Sequence, residues 1–343
     1  MRAADDFSAR LTRAAEALTR LRAALATVIV GQREVVDHVL VSLLAGGHVL
    51  LEGAPGLGKT LLVRTLAQCV DLTFSRIQFT PDLMPSDILG TQVLMDRGGE
   101  RGFTLHRGPI FSQIVLADEI NRASPKTQSA LLEAMQENAV TLAGQRHPLG
   151  PPFFVLATEN PIEMEGTYPL PEAQLDRFLV KVLVPEPSED DLVSVLLRTT
   201  GREAAAPPRV LAHAEVEDLR ALCRDVAVGD AVARYAARLV KATNPHDPSA
   251  PALVRRAVRY GAGVRGAQAL LLGAKAVALM KGAAHASFAD VASLAAPALR
   301  HRVLRSFEGE ADGVTTDAIV QAVLDTLPAR PEAVEAALAD RAR

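Results

Sequence analysis

The sequence has no tryptophan, and phenylalanine and tyrosine bring its aromatic share to only 4%. A surface that stacks nucleic-acid bases on rings therefore has little to draw on. Charge of either sign is not in excess: 37 Lys and Arg stand against 40 Asp and Glu, a formal net charge of −3. That balance argues against a general electrostatic grip on a phosphate backbone. Only two cysteines occur, Cys69 and Cys223, far apart and with no CxxC partner. Neither a disulfide framework nor a zinc site is expected, and reduced structural thiols fit a cytoplasmic setting. No apolar run reaches the roughly 18 residues that suggest a membrane helix. Val35–Leu51 and Ala267–Met280 come nearest, and charges, glycines or histidines interrupt both. The first residues, among them Arg2, Asp5, Asp6 and Arg10, lack an apolar signal core. No membrane insertion is predicted.

What is present is length and aliphatic content. With 343 residues and 49% hydrophobic side chains, much of that alanine, the chain has room for two domains with cores of their own. Leu11, Leu18, Leu21 and Leu25 recur at helical spacing and predict an amphipathic segment over residues 1–28. A second helix follows Gly31-Gln32 and stops at Gly46-Gly47. Short apolar runs then alternate with helices: His48–Leu51, Phe74–Phe79, Ile114–Ala117, Phe153–Ala157 and Phe178–Val184. Strands separated by helices imply an α/β domain, a parallel sheet covered on both faces, over residues 29–187. Ser188 with Asp191 resembles a capping box, and residues 188–210, with the stretch Ala204–Pro208, read as a connecting helix and linker. From 211 to 343 helical periodicity dominates, with predicted helices over Val216–Val226, Ala231–Lys241, Gly266–Met280, Phe288–Arg302 and Thr316–Leu327 and a terminal helix after Pro331.

The motif GxxxxGK[ST] occurs once, as Gly53-Ala54-Pro55-Gly56-Leu57-Gly58-Lys59-Thr60, after a predicted strand and ahead of the helix Leu61–Cys69. Glycines there let backbone N–H groups converge on phosphate oxygens, Lys59 neutralises the β and γ phosphates of ATP, and the Thr60 hydroxyl reaches Mg²⁺. A glycine turn with an exposed lysine is the plain alternative, which the strand-and-helix setting disfavours. Ile114–Ala117 leads into Asp118-Glu119. Asp118 is placed to hold Mg²⁺ beside Thr60, and Glu119, on the opposite face by the strand period of two, to polarise an attacking water. Asn160, beyond another buried strand, could bond that water or the γ-phosphate, although Asn160-Pro161 alone is a turn signal. Arg177 is open between surface charge, a salt bridge and an arginine finger. Arg265 opens a long helix, where a cation opposes the dipole and a phosphate would compensate it.

Together these stretches resemble the MoxR family of AAA+ ATPases. The resemblance runs from about Ile29 to Leu327 and is carried by GAPGLGKT, Phe79–Gly90, Ile110–Glu137, ATENP, Tyr168–Phe178 and Leu299–Gly313. It implies an AAA+ core with an all-helical lid domain, assembled into a homo-oligomeric ring, a hexamer. Lys59 and Thr60 would be the Walker A pair, and Asp118 and Glu119 the Walker B pair. Asn160 would be sensor 1, Arg177 a finger acting in trans and Arg265 sensor 2. Nucleotide contacts would run from Gly53 to Leu61, with Val30 and Gly31 of the Ile29–Gln32 segment at the adenine. Arg122 would be a second interface arginine. Gly90–Arg107, around Gly98-Gly99, and Ala139–Leu149 read as hairpins, either pore-facing or plain surface loops. The resemblance further implies chaperone-like remodelling or cofactor insertion on a client protein, beside a von Willebrand factor A domain partner. A DNA motor or a metal-chelatase motor subunit is the alternative. Arg97, Arg101, Arg146 and His147 on the hairpins favour DNA, whereas Asp96 and Glu100 dilute them. Two departures stand out: Glu159 where Gln is more usual, and Gly263-Val264-Arg265 where Ser-Pro-Arg is commoner.

Overall fold

The leucine stripe of the N-terminal segment is buried as its spacing predicts, with Leu11, Leu18, Leu21 and Leu25 each 2% exposed or less. They lie on α1 (Arg2–Ala26). The computed structural model describes residues 2–97, 100–161, 167–200 and 206–327. Its backbone falls into two compact units, one of Glu16–Ala221 and one of Met1–Ala15 with Leu222–Arg343.

In the first unit α2 (Arg33–Ala45) ends at Gly46, which takes the left-handed conformation and returns its N–H to Leu43. Then follow β1 (Val49–Glu52), α3 (Lys59–Cys69), β2 (Phe74–Gln78) and α4 (Pro85–Leu89). A hairpin of β3 (Gly90–Arg97) and β4 (Glu100–Arg107) precedes β5 (Ile114–Asp118) and α5 (Pro125–Glu137). A second hairpin, β6 (Ala139–Leu142) with β7 (Gln145–Pro148), leads to β8 (Phe154–Glu159). The unit closes with α6 (Glu172–Leu175), β9 (Val180–Leu183), α7 (Glu189–Thr199) and α8 (His213–Asp225), the last running on past Ala221. Both predicted hairpins are thus present; the turn Gly98-Gly99 lies outside the described residues, as do the side chains of residues 95–102. Ser188 caps α7, accepting from the Asp191 N–H at 3.2 Å.

Five strands form one parallel sheet in the order β2-β5-β8-β1-β9. Val115, Leu116, Ala117, Val155 and Leu156 are fully buried on β5 and β8, where truncating an aliphatic side chain costs about 2–5 kcal/mol. Parallel strands all end on the same edge, and the crevice outside their carboxyl ends is where such sheets bind ligands. His48 pins that framework from the other end: its Nδ1 accepts the Val155 N–H at 3.0 Å, so its Nε2 donates to the Met135 carbonyl at 3.3 Å. Burial lowers its pKa to about 4, keeping the ring neutral.

The β3–β4 hairpin joins the unit through two glycines. A Cβ on Gly90 (φ 96°) would stand 2.2 Å from the His106 carbonyl oxygen, and one on Gly108 would stand 2.2 Å from that of Ile88. No side chain fits either position.

The second unit is mainly helical: α9 (Asp230–Ala242), α10 (Ala252–Ala257), then β10 (Val258–Tyr260), α11 (Val264–Met280), α12 (Phe288–Ser293) and α13 (Ala295–Leu299). β11 (Leu304–Arg305), α14 (Phe307–Ala311) and α15 (Thr316–Thr326) complete it. The single helix predicted over Phe288–Arg302 is two, broken at Leu294; Pro297, without an N–H, cannot bond back to the Ser293 carbonyl. β10 and β11 pair as a small antiparallel ribbon that periodicity did not reveal. The predicted tail helix after Pro331 lies outside the described residues, as do residues 204 and 205 of the Ala204–Pro208 stretch.

Candidate nucleotide site

The loop between β1 and α3 is shaped by two left-handed glycines, Gly56 (φ 84°) and Gly58 (φ 75°). A Cβ on either would meet no heavy atom within 4 Å, so backbone conformation, not crowding, demands glycine, and the hollow stays open. Gly58 caps α3 with no side-chain acceptor. The first N–H groups of that helix therefore point outward with the positive end of its dipole, an arrangement suited to phosphate. Lys59 Nζ donates to the Gly53 carbonyl at 2.5 Å, folded back over its own loop. Its burial lowers the ammonium pKa, against the pull of Asp118, Glu119 and Glu52. Gln32 Nε2 donates to the Leu57 carbonyl at 2.8 Å, which ties the Val30-Gly31-Gln32 segment to the loop. Leu61, 45% exposed, follows on α3.

Asp118 ends β5, 8% exposed, with its Oδ2 3.4 Å from the Thr60 hydroxyl. A hydroxyl beside a buried carboxylate offers hard oxygen donors that fit Mg²⁺. Among the described residues no group of three or more His, Cys, Asp or Glu converges on a metal position, so such an ion would take its remaining ligands from phosphate and water. Glu119 differs from expectation. It is not the next residue of the strand facing the other way; it lies past the strand end in the left-handed region, φ 57° and ψ 51°. A non-glycine residue held there costs on the order of 1–3 kcal/mol, and three neighbours hold it. Its N–H donates to Thr158 Oγ1 at 2.8 Å, and its Oε2 accepts from Gln78 at 2.8 Å and from Arg122 at 3.0 Å.

Thr158, Gln78 and Arg76 were not singled out from the sequence. Thr158 is fully buried on β8 and also donates to Asp118 Oδ1 at 2.7 Å. Arg76 bonds Asp118 Oδ2 through Nε at 2.9 Å and through its terminal nitrogen at 2.6 Å. The signal was available: Ser75, Arg76 and Gln78 are polar residues inside a run read as a buried strand, and Gln78 pairs in register with Asp118. Arg122, expected at a subunit interface, is paired within its own chain to Glu119.

Asn160 is 5% exposed and directly follows β8, the strand lying between β5 with its carboxylates and β1 with its loop. Arg177, half-buried ahead of β9, donates to the Leu132 carbonyl at 2.5 Å. Arg265 belongs to the other unit, where it is exposed at the start of α11. The sheet edge thus brings together Gly53–Thr60, Asp118, Glu119, Thr158 and Asn160. A phosphate cradle, a metal-binding oxygen pair and a separate carboxylate for water are the parts that nucleotide hydrolysis needs.

Comparison with known proteins agrees. Residues 48–180 match the model of the ATPase family associated with various cellular activities (AAA), and residues 250–323 match the AAA lid domain. The chain is 41% identical to the chaperone MoxR1 of Mycobacterium tuberculosis over 88% of its own length and 79% of the relative's. It is 43% identical to the uncharacterized protein YeaC of Bacillus subtilis, over 88% and 91%. A crystal structure of a Cytophaga hutchinsonii protein superposes with a TM-score of 0.88 at 37% identity, covering 95% of this chain and 98% of that one. With residues 48–180 and its lid both matched, and with MoxR1 similar over most of its length, the chain belongs to the MoxR family of AAA+ ATPases.

Proposed function

We propose that the chain hydrolyses Mg²⁺-ATP within a homo-oligomeric ring, a hexamer, and uses the cycle for chaperone-like remodelling of a protein client. The observation that supports this reading is the setting of Glu119: a carboxylate anchored past the strand end, apart from the Asp118–Thr60 pair, suits a water better than the metal. Lys59 and the first turn of α3 bind phosphate, with the loop from Gly53 to Leu61 around it. Thr60 and Asp118 hold Mg²⁺, and Asn160 orients the γ-phosphate or the water. Val30 and Gly31, tied to the loop through Gln32, border the adenine. Arg265 would serve as sensor 2, and Arg177 as the finger offered to a neighbour's nucleotide.

The remodelling role is supported by the relative named chaperone MoxR1 and by the β3–β4 hairpin, where Leu94 and Phe103 pair across the strands at 54% and 72% exposure. An apolar, mobile-client surface of that kind suits unfolded or partly folded protein. A von Willebrand factor A domain protein is the expected partner, and the cytoplasm the expected compartment; among the described residues no helix is long and apolar enough to cross a membrane.

The ATPase rate per subunit, measured against protein concentration for wild type and Arg177→Ala, tests the shared site. The rate should rise with concentration and fall at least tenfold in the variant, as loss of a trans-acting arginine does. A rate that ignores both concentration and Arg177 would sink the ring.

A further inference from the structure

Three charged side chains meet beneath the start of the phosphate loop. Lys181 Nζ lies 2.6 Å from Glu52 Oε2 and 3.7 Å from Glu159 Oε2, and the side chains of Lys181, Glu52 and Glu159 are only 18%, 27% and 15% exposed. Strand register accounts for the meeting. Leu50 of β1 pairs with Lys181 on one side and Ala157 on the other, while Glu52 pairs with Glu159. The lysine therefore stands two residues back on the same face, and its long side chain reaches forward across β1.

Each carboxylate is the last residue of its strand. Glu52 runs directly into Gly53 of the loop and Glu159 directly into Asn160. The Gly53 N–H donates to the Glu159 carbonyl at 3.3 Å, so the two strand ends are already joined through the backbone. One ammonium serves two carboxylates. Burial pushes the Glu159 carboxyl above its ordinary range, and Lys181 opposes that shift. Ionic groups at this depth stabilise poorly compared with apolar packing, but removing one partner leaves the charge of the others uncompensated.

We infer that Lys181 is a positioning residue for hydrolysis: clasping Glu52 and Glu159, it holds the phosphate loop and Asn160 at a fixed separation across β1 and β8. A γ-phosphate bound by the loop would then stand in a constant relation to the Asn160 amide. The glutamate at position 159, unexpected from the sequence, becomes the far jaw of the clasp. The inference rests on the role proposed above for Asn160.

The test measures single-turnover ATP hydrolysis and the Kd for a fluorescent ATP analogue on the full chain. Variants are Lys181→Met, Lys181→Met with Glu159→Gln, and Lys181→Arg, with Asn160→Ala as reference and urea unfolding of each as the control for folding. Lys181→Met should hydrolyse roughly tenfold or more slowly. The double variant keeps the wild-type net charge at these three positions, one Glu without Lys in place of two Glu with one Lys. It should bind the analogue within about threefold of wild type yet remain slow, since the clasp is still open. Lys181→Arg should recover the rate. A double variant that regains the rate, or a Lys181→Met chain as fast as wild type, overturns the inference. Should Lys181→Met not fold, Glu159→Ala, which empties the far jaw, must slow hydrolysis more than Glu159→Gln, which can still accept from Lys181; equal rates overturn it. An Asn160→Ala chain at full speed removes the role of Asn160 instead, a separate result.

Discussion

Thr158 donates its hydroxyl proton to Asp118 Oδ1 at 2.7 Å while the same oxygen accepts the Glu119 N–H at 2.8 Å. One buried hydroxyl thus orients the carboxylate proposed to hold Mg²⁺ and anchors the strained residue beside it. Thr158→Val keeps the shape and deletes both bonds. Turnover should fall roughly 10- to 100-fold, the scale of a small misplacement at a reacting centre, with ATP affinity little changed. Thr158→Ser should retain most of the rate. Steady-state kcat alongside nucleotide titration checks this, and a valine variant at wild-type kcat would refute the relay.

Arg76 shares Asp118 Oδ2 with the Thr60 hydroxyl, so a guanidinium would compete for the oxygen proposed to hold Mg²⁺. Arg76→Met should lower the Mg²⁺ concentration for half-maximal hydrolysis. Arg76 is 48% exposed, and solvent-screened pairs are worth roughly 0–1 kcal/mol, so the shift should not exceed about fivefold. A Mg²⁺ titration at fixed ATP decides it; an unchanged or raised requirement goes against the competition.

The carboxylate pair and the phosphate loop were legible in the sequence because each is a contiguous run whose spacing carries its chemistry. Thr158, Arg76 and Gln78 were not, since their roles depend on which strands lie side by side. The order β2-β5-β8 places all three around Asp118 and Glu119, and no local pattern encodes that order. Glu119 was misplaced for a related reason. Period-two reasoning holds only while the strand continues, and here the strand stops one residue short, with the left-handed turn paid for by a hydrogen bond from a different strand. The helix over Phe288–Arg302 was overextended because apolar periodicity continues through Pro297, where the backbone bonding cannot.

His48 links pH to stability. Its folded pKa of about 4 lies below the ordinary 6.5, so between those values the unfolded chain binds the extra proton and stability rises with pH. The contribution is complete above about pH 6.5 and is lost as pH falls toward 4. Between pH 7.5 and pH 5 the loss should be on the order of 2 kcal/mol. Urea unfolding at both values, for wild type and His48→Asn, should show a smaller pH difference in the variant; equal differences would exclude His48 as the source.

Gly108→Ala places a methyl group where the Ile88 carbonyl oxygen already stands. The backbone on one side of the hairpin must move, at a cost of about 1–3 kcal/mol by analogy with overpacked cores. Urea midpoints should fall accordingly, whereas Gly150→Ala, with nothing within 4 Å of the added Cβ, should leave them nearly unchanged.

The neck formed by Gly90 and Gly108 has a further meaning. The Gly108 N–H bonds to the Leu89 carbonyl at 3.2 Å, so the chain returns to where it departed before resuming its path toward β5. Everything between those glycines is a cassette: it can be lengthened, shortened or exchanged for another sequence without altering the span that the rest of the unit must bridge. The sequence of the arm is then free to diversify while the ATP-consuming engine beneath it stays the same.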